Sequence, residues 1–284
     1  MSGGGFDLDG WLARIGYTGP REASLASLQG LVAAHSAAIP FEDIDPFLGR
    51  PPKLDVGSLQ TKMIAGGRGG YCFEQNRVLR AGLMGLGFQV TSLIARVVAG
   101  ATPDAFRPAT HMVLRVDLLE GPFLADVGFG HQTPTAPLML EPEILQPTPH
   151  EEMRLAPIGE ELVLEARLAD RWQHLYRFSL RPAPDIDYEV GNWFCATHPE
   201  SLFTSNLILA RPDREGLRHT LLNGRVTTRR AGEILERRLL EDEGALAGAL
   251  RETFQLNLSD EEVGETWGRM VDRGILGASH PIFG

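Results

Sequence analysis

Cys72 has the clearest potential for covalent chemistry in this sequence of 284 residues. It follows the segment 66–70, in which four glycines surround Arg68, and it begins a predicted helix. The free N–H groups and the partial positive charge at a helix N-terminus favour a thiolate over a thiol. The same N–H groups suit an oxyanion on an acylated sulfur. We therefore expect a nucleophilic Cys72 with a lowered pKa, and the alternative is a small buried cysteine after a plain glycine loop.

His111 and Asp126 are the residues best placed to assist a thiolate, which usually works with a base and a group that orients the base. His111 begins one predicted strand and Asp126 ends the next. A tight turn at Glu120 and Gly121 places Asp126 opposite Arg115, on the same face as His111 but roughly 13 Å from it. Contact therefore requires a bulge, a divergence of the strands or a different register. The alternative for His111 is a purely structural role.

Two periodicities predict the elements that must position these residues. The first 88 residues are predicted to be mainly helical, the middle to consist of strands, and the tail to mix the two. Predicted helices begin at Leu25 and end near Pro40, and cover 56–64, 72–85, 231–240, 244–254 and 259–270. Predicted strands cover 89–98, 111–118, 123–127, 161–167, 172–179 and 221–228.

Local signals refine three of these segments. The dipeptide Asn223-Gly224 predicts a hairpin turn within 221–228, and Ser259 with Glu262 forms a capping box. The three prolines in 45–55 predict a loop. The arginines near 229–238 alternate with glutamates and are predicted to lie on a solvated helix face; they are Arg229, Arg230, Arg237 and Arg238.

The composition limits the possible partners. The net charge of −10 argues against a nucleic-acid clamp, which usually has a basic surface. The two cysteines cannot form a disulfide framework or a four-cysteine zinc site, and we expect Cys195 to be plainly buried. The histidines lack the spacing of a metal motif, so no metal is expected. No apolar run reaches roughly 18 residues and no signal peptide is visible, so we expect a cytoplasmic protein without a membrane partner.

Several motifs together resemble those of the arylamine N-acetyltransferases. The segment 68–76, Arg-Gly-Gly-Tyr-Cys-Phe-Glu-Gln-Asn, resembles the nucleophile motif of that family. Companion segments follow in the same order at 39–42, 110–114, 125–130, 192–193, 197–199 and 201–206. One position departs from the pattern, because Asp43 stands where the resemblance leads us to expect Asn. We expect the departure to affect local hydrogen bonding there.

The resemblance implies an α+β fold with a cysteine-protease-like catalytic core. It implies an N-terminal helical bundle over 1–88 that carries the nucleophile. A central β-barrel-like domain over 89–200 would carry the histidine and aspartate, and a C-terminal α/β lid would cover 201–284. Cys72 would then be the acetyl acceptor, His111 its base and Asp126 the group that orients the imidazole, as in the Ser-His-Asp template.

The implied reaction is ping-pong acetyl transfer from acetyl-coenzyme A to an arylamine or arylhydrazine, with no tightly bound cofactor. The resemblance points to an apolar acceptor site at Phe129 and Phe203, and less strongly at Phe41 and Val98. The backbone of Gly69, Gly70 and Gly128 is expected to contact coenzyme A. Arg68 is expected to pair with a buried acid such as Glu42. A cysteine hydrolase or transglutaminase-like enzyme is the alternative, and the sequence sets no oligomeric state.

Overall fold

The N-terminal part of the chain is helical. The computed structural model describes residues 5–280; residues 1–4 and 281–284, at the outer ends of the first and third predicted units, lie outside the described residues. The elements of this part are α1 Leu8–Ile15, α2 Leu25–Ala38, β1 Phe41–Glu42, α3 Ile44–Phe47, α4 Val56–Leu59 with a π-helical turn Gln60–Ala65, and α5 Cys72–Gly85. The predicted helices at 25, 56 and 72 are confirmed, whereas α3 lies partly in the predicted loop.

An eight-stranded antiparallel sheet forms the middle of the molecule and curls into a nearly closed barrel. Its strands are β2 Gln89–Val97, β3 Ala109–Leu118, β4 Gly121–Ala125, β5 Leu138–Met139, β6 Gln146–Pro147, β7 Glu152–Ile158, β8 Glu161–Leu168 and β9 Arg171–Phe178. They lie in the order β5-β4-β3-β2-β9-β8-β7-β6. The predicted strands at 89, 111, 123, 161 and 172 are confirmed, and the sequence patterns missed β7.

Strand β3 connects the two cores that meet at the site. Met112 and Leu114 pack on one side with Val78 of α5, and Val113 packs on the other side inside the barrel with Leu164. Successive side chains of a strand point to opposite faces, so one strand can serve both cores. The strand that begins near His111 is therefore fixed on both faces.

The C-terminal part combines helices with a second antiparallel sheet. Its elements are α6 Asp185–Thr197, α7 Leu202–Ser205, β10 Ile208–Pro212, β11 Leu217–Leu222, β12 Arg225–Arg230, β13 Glu233–Leu239, α8 Glu243–Gly248 with a π-helical turn Ala249–Thr253, and α9 Asp260–Asp272. The sheet order is β1-β10-β11-β12-β13, so the N-terminal β1 forms one edge. One face of this sheet packs on α8 and α9 through a separate apolar core that includes Leu221 and Phe254.

One turn prediction and one helix-cap prediction in this part are confirmed. Asn223 and Gly224 have φ values of 49° and 81° and join β11 to β12 as a two-residue hairpin. Positive φ at both positions is the geometry that makes Asn-Gly a hairpin signal. The Ser259 side chain accepts a hydrogen bond from the Glu262 N–H and thereby caps α9.

The predicted helix over 231–240 is wrong, because this segment forms β13 and pairs with β12. Ala231 and Gly232 both have positive φ values, 48° and 87°, and form a second two-residue hairpin turn. A turn of this kind directs the chain back along β12, and the ladder of backbone hydrogen bonds overrides helix propensity.

Candidate active site

Cys72 is the first residue of α5 and is only 3% exposed. The start of the helix is held by Glu74, whose Oε2 accepts a hydrogen bond from the Tyr71 N–H at 3.0 Å. The Cys72 Sγ lies 3.5 Å from the carbonyl oxygen of Thr110, on the strand that also carries His111. The helix start thus places the sulfur directly against β3.

His111 and Asp126 form a buried hydrogen-bonded pair. The Nε2 of His111 lies 2.7 Å from Oδ2 of Asp126, and the two side chains are 2% and 0% exposed. The other carboxylate oxygen accepts hydrogen bonds from Asn76 Nδ2 at 2.9 Å and from the Gly128 N–H at 2.8 Å. Burial alone raises the pKa of Asp126, but the charge of His111 and these hydrogen bonds outweigh it, so the pKa is lowered.

The predicted register of the β3–β4 hairpin is wrong. Arg115 pairs with Leu124, not with Asp126, and the turn between the strands consists of Leu119 and Glu120. The ladder ends at Ala125, so Asp126 leaves the sheet and is free to turn towards His111. Both a different register and a divergence of the chain therefore contribute to this contact.

Asn76 was missed as a site residue by the sequence analysis. It lies one helical turn after Cys72, and its amide also donates to the carbonyl oxygen of Met112 at 2.7 Å. Its Oδ1 accepts a hydrogen bond from the Val127 N–H at 3.1 Å. Asn76 thus ties α5 to β3 and to the loop that carries Asp126. The spacing of four residues from Cys72 was the available signal, because residues i and i+4 share a helix face.

A largely apolar cavity is lined by Cys72 and His111. Four other residues identified from the sequence line it: Phe41, Gly128, Phe129 and Phe203. The sequence analysis missed several further lining residues, among them Val97, His131, Leu202 and Ile208. Val98 does not line the cavity. It is fully buried beside β9, and its neighbour Val97 takes the predicted place.

The glycines before Cys72 serve packing and do not line the cavity. The Gly70 N–H points to the carbonyl oxygen of Pro40 at 3.4 Å, and a Cβ on Gly69 would lie 2.2 Å from the same oxygen. The expected contacts of Gly69 and Gly70 with coenzyme A stay a prediction. Gly128 lines the cavity, but its N–H already donates to Asp126.

Arg68 forms the predicted buried ion pair with Glu42. Its guanidinium lies 2.9 Å from Glu42 Oε1, 3.2 Å from Asp45 and 2.9 Å from Glu262 of α9. Lys62 completes the cluster by pairing with Asp45. These charges support the loop before Cys72, and the pairing with Glu42 is confirmed.

Asp43, the departure from the family pattern, is fully buried. Its Oδ1 accepts a hydrogen bond from the Ile208 N–H at 2.8 Å, and its Oδ2 has no hydrogen-bond partner within residues 5–280. Burial, with a smaller contribution from Glu42, raises the pKa of Asp43 well above its usual range. A protonated, neutral Asp43 has nearly the shape and the charge of the expected Asn.

Burial acts on both cysteines. It raises the pKa of the Cys72 thiol, and backbone hydrogen bonds of Met112 and Phe73 oppose it only in part. This direction is opposite to the lowering expected from the helix N-terminus alone. Cys195 is 3% exposed, and burial raises its pKa to about 12, which confirms the expectation of a buried thiol.

Within residues 5–280, no cluster of three or more His, Cys, Asp or Glu side chains has the arrangement of a metal site. None of the helices in the same range is long and apolar enough to span a membrane.

Comparison with known proteins defines the class and then the family. A family model described as N-acetyltransferase matches residues 24–263, so the chain is an acyltransferase. The arylamine N-acetyltransferase of Escherichia coli is 40% identical, over 91% of this chain and 92% of its own length. The Mycobacterium marinum arylamine N-acetyltransferase in complex with CoA has a TM-score of 0.88 and 42% identity, over 93% of this chain and 98% of that one.

A third relative is the arylamine N-acetyltransferase / N-hydroxyarylamine O-acetyltransferase of Salmonella typhimurium. It is 37% identical over 92% of each chain. These similarities extend over nearly the whole molecule and include the helical part, the barrel and the second sheet. The chain belongs to the arylamine N-acetyltransferase family, and the α+β fold expected from the motifs is confirmed.

Proposed function

We propose that this enzyme transfers an acetyl group from acetyl-coenzyme A to the nitrogen of an arylamine or arylhydrazine through a thioester on Cys72. The observation that carries the proposal is one apolar cavity in which Cys72 and His111 meet, with His111 held by the buried Asp126. The complex of the Mycobacterium marinum relative with CoA supports a coenzyme A thioester as the donor. Acetyl transfer as the family reaction favours this function over a hydrolase or a transglutaminase.

His111 activates the sulfur in the first half-reaction. Its Nε2 is bonded to Asp126, so Nδ1 is the nitrogen that takes the proton of Cys72. The thiolate attacks the thioester carbonyl of acetyl-coenzyme A and forms a new carbon–sulfur bond. The bond from the carbonyl to the coenzyme A sulfur then breaks, and that sulfur leaves with the proton from His111.

In the second half-reaction, the amine is the nucleophile and the sulfur of Cys72 is the leaving group. The amine nitrogen attacks the carbonyl of acetyl-Cys72 and loses a proton to His111. The carbon–sulfur bond of Cys72 breaks, the acetylated amine leaves, and the proton on His111 returns to the sulfur. Microscopic reversibility makes one imidazole sufficient for both steps.

Asp126 and the burial of the site determine the protonation states that this mechanism uses. Because burial raises the pKa of Cys72, a thiolate forms only when its charge is compensated nearby. A protonated His111, held by the carboxylate of Asp126, provides that compensation. Asn76 and Gly128 keep Asp126 ionised by donating to its other oxygen.

The cavity walls suit an aromatic acceptor. Phe129 and Phe203 are both part of the lining, and Phe41 lies 6.0 Å from Phe203 between ring centroids. Aromatic side chains pack well against an aryl ring at such distances.

Mass spectrometry after exposure to acetyl-coenzyme A without an acceptor tests the proposal. We expect the mass of one acetyl group on Cys72, its removal when an arylamine is added, and neither event in Cys72→Ala. Cys195→Ala, which removes the other cysteine, should still be acetylated. Acetylation of Cys72→Ala, or undiminished arylamine turnover by it, would contradict the thioester mechanism.

A further inference from the structure

The short helix α7 borders two different concave surfaces. Its first half contributes Leu202 and Phe203 to the cavity that contains Cys72. Its second half contributes Thr204 and Ser205 to an open groove, which segments of α3, α6 and α9 complete. Among residues 5–280, the cavity and the groove share no lining residue. We call the second surface the α7 groove, and the proposed acetyl transfer gives it no role.

The α7 groove is basic, although the whole chain has a net charge of −10. Arg269 of α9 and Arg273 at the C-cap of that helix line it, and no Asp or Glu in the described part of the chain does so. Glu265, one turn before Arg269, pairs with Arg50 instead. Neither Arg269 nor Arg273 forms an ion pair with a carboxylate of residues 5–280. The groove therefore carries two positive charges without a protein counter-charge.

The ring of Phe47 holds both guanidinium groups in place. The Cζ atoms of Arg269 and Arg273 lie 5.8 Å and 5.3 Å from the centroid of this ring, within the range of cation–π contacts. Phe47 is fully buried, so the ring is a fixed support. Arg273 also donates a hydrogen bond to the carbonyl oxygen of Thr204 in α7. The two charges are thus positioned before any ligand binds.

The same arginines keep hydrogen-bond donors that the protein does not use. Each guanidinium has five N–H donors. The Nε of Arg269 is buried and has no hydrogen-bond partner within residues 5–280. The two arginines are four residues apart, and like charges at this spacing on a helix repel each other. Burial, followed by the charge of Arg269, lowers the pKa of Arg273.

The position of the two arginines at the end of α9 explains only part of this arrangement. The C-terminal end of a helix carries a partial negative charge, which favours nearby arginines. It does not provide an acceptor for the buried Nε of Arg269. An anion with several oxygen atoms would accept hydrogen bonds from both side chains and offset their repulsion.

The hydroxyl groups of the groove indicate the class of ligand. Thr197, Thr204 and Ser205 each donate the hydroxyl proton to a backbone carbonyl oxygen. In this arrangement their oxygen atoms accept hydrogen bonds from a ligand and do not donate to it. A matching ligand has an anionic group for the arginines and hydrogen-bond donors for the hydroxyl oxygens. A phosphate monoester with free hydroxyl groups has both.

We propose that the α7 groove, with Arg269 and Arg273, is a binding site for a phosphate monoester that carries hydroxyl groups. The guanidinium fork matches the geometry of phosphate oxygens and binds them through charge-assisted hydrogen bonds. The bound ligand contacts α7, the helix that also supplies Leu202 and Phe203 to the catalytic cavity. The proposal adds a second binding site and does not depend on the proposed acetyl transfer.

Nuclear magnetic resonance of the arginine side chains tests the site directly. During titration with glycerol 3-phosphate we expect the Nε–Hε signal of Arg269 to shift and to saturate, because this donor has no protein acceptor. Inorganic phosphate, which lacks the hydroxyl-bearing arm, should bind more weakly, and equal affinity would overturn the monoester assignment. Sodium chloride at the same ionic strength controls for screening. A shift that chloride reproduces, or one that does not saturate, would overturn the site.

Substitutions of single arginines give a second test, read by calorimetry with glycerol 3-phosphate. In Arg269→Gln and in Arg273→Gln the affinity should fall about tenfold, the usual effect of losing one charged hydrogen bond. Arg251→Gln is the matched control, because Arg251 is exposed and does not line the groove, and its affinity should equal that of the wild type. Wild-type affinity in both groove variants would overturn the proposal. Since no measurement requires acetyl transfer, failure of the proposed function would leave these results interpretable.

Discussion

At the scale of single residues, the reactivity that we propose for Cys72 requires a partner in addition to the helix start. Burial raises the pKa of the thiol, which would keep it protonated at neutral pH. His111, which is hydrogen-bonded to Asp126, lines the same cavity as Cys72 and is the compensating group that we propose. We therefore propose that the nucleophile is an ion pair of Cys72 and His111.

Replacement of His111 should therefore move the pH profile of Cys72 alkylation. In a Cys195→Ala background we expect fast alkylation well below pH ~8.5, the ordinary cysteine pKa. In His111→Gln the profile should move above pH ~8.5, because the raised pKa that burial causes is no longer compensated. Iodoacetamide rates across pH measure both profiles. Identical profiles in the two proteins would contradict the ion pair.

Asp43 gives a second prediction at this scale. Its pKa is raised by burial, so the folded state keeps a proton that the unfolded state loses as pH rises. The resulting stability is complete below about pH 4 and declines as pH rises from there towards the folded pKa. Asp43→Asn removes this dependence and should raise Tm by a few degrees near pH ~8, at roughly 2–4 °C per kcal/mol.

Thermal unfolding of both proteins at several pH values measures this difference. The gap in Tm between Asp43→Asn and the wild type should narrow as pH falls towards about 4, where both states of Asp43 are protonated. Arylamine turnover should survive the change, because Asn keeps the acceptor for the Ile208 N–H. A gap that is constant with pH would mean that Asp43 is ionised in the folded protein.

Residue types and motif order were sufficient to identify Cys72, His111 and Asp126 as candidates, and their catalytic roles stay proposals. Asn76 was missed because its partners lie on β3 and in the Asp126 loop, far along the chain. Val98 was chosen over Val97 because the sequence does not show which face the end of β2 presents to the cavity. Such choices depend on tertiary packing that local patterns do not contain.

At the scale of elements, the loop after β4 must approach α5 closely for the site to form. A Cβ on Gly128 would lie 2.8 Å from Cys72 Cα and 2.9 Å from Asn76 Nδ2. These distances are shorter than van der Waals contact, and the first involves backbone that cannot rotate away. The absence of a side chain at position 128 thus allows Asp126 to reach His111.

Gly128→Ala should therefore reduce acetyl transfer by roughly a hundredfold or more, the scale of loss that a displacement of about 1 Å can cause. The physical reason is a shift of the Asp126 loop away from α5. Gly268→Ala in α9 is the control, because its Cβ would meet nothing within 4 Å. Circular dichroism should show both variants folded. Wild-type turnover in Gly128→Ala would show that the loop tolerates the shift.

Most helices and strands with a clear periodicity were predicted correctly, whereas turns were predicted only where a residue signal marks them, and the β3–β4 register was wrong. The hairpin at Asn223 and Gly224 has a sequence signal, whereas Ala231 and Gly232 form a similar turn without one. The spacing of the charged residues in β13 resembles that of a helix face. The segment is a strand because it pairs with β12. The β3–β4 register shifted because a two-residue turn at Leu119 and Glu120 has no special residue to mark it.

At the scale of the whole molecule, Arg68 connects distant parts of the chain. It joins Glu42 at the start of the sheet to Glu262 of α9, and its side chain is only 10% exposed. Glu42 is 0% exposed, so loss of Arg68 would leave a buried carboxylate with Lys62, 3.8 Å away, and the N–H of Ile44 as weaker compensation. The cluster therefore contributes to the stability of the nucleophile loop.

Arg68→Met should lower the free energy of unfolding by about 3 kcal/mol, in the range measured when one partner of a buried pair is removed. Arg50→Met is the matched control, since Arg50 pairs with Glu265 of the same helix but is 49% exposed. Exposed pairs contribute about 0–1 kcal/mol. Urea denaturation measures both changes. Equal effects of the two substitutions would contradict a special role for the buried cluster.

The predicted division of the chain at 88 and 200 stays a prediction, and β1 shows why boundaries are hard to set from sequence. Phe41 and Glu42 belong by position to the first unit, yet they pair with Ala210 and Leu209 of β10. Sequence patterns describe neighbours along the chain and contain no information on such distant pairing.

The pairing of β1 with β10 also determines when this part of the fold can form during synthesis. Strand β1 leaves the ribosome early, but its partner β10 follows about 170 residues later. Phe41 and Ile208 both line the cavity, but Phe41 is synthesised early and Ile208 much later. Until the last third of the chain is made, the Cys72 helix of the nascent chain therefore lies beside a cavity wall that is incomplete and exposed. Sequence separation of this size slows folding, and the cavity is completed only after Ile208, about three quarters of the way along the chain, has been made.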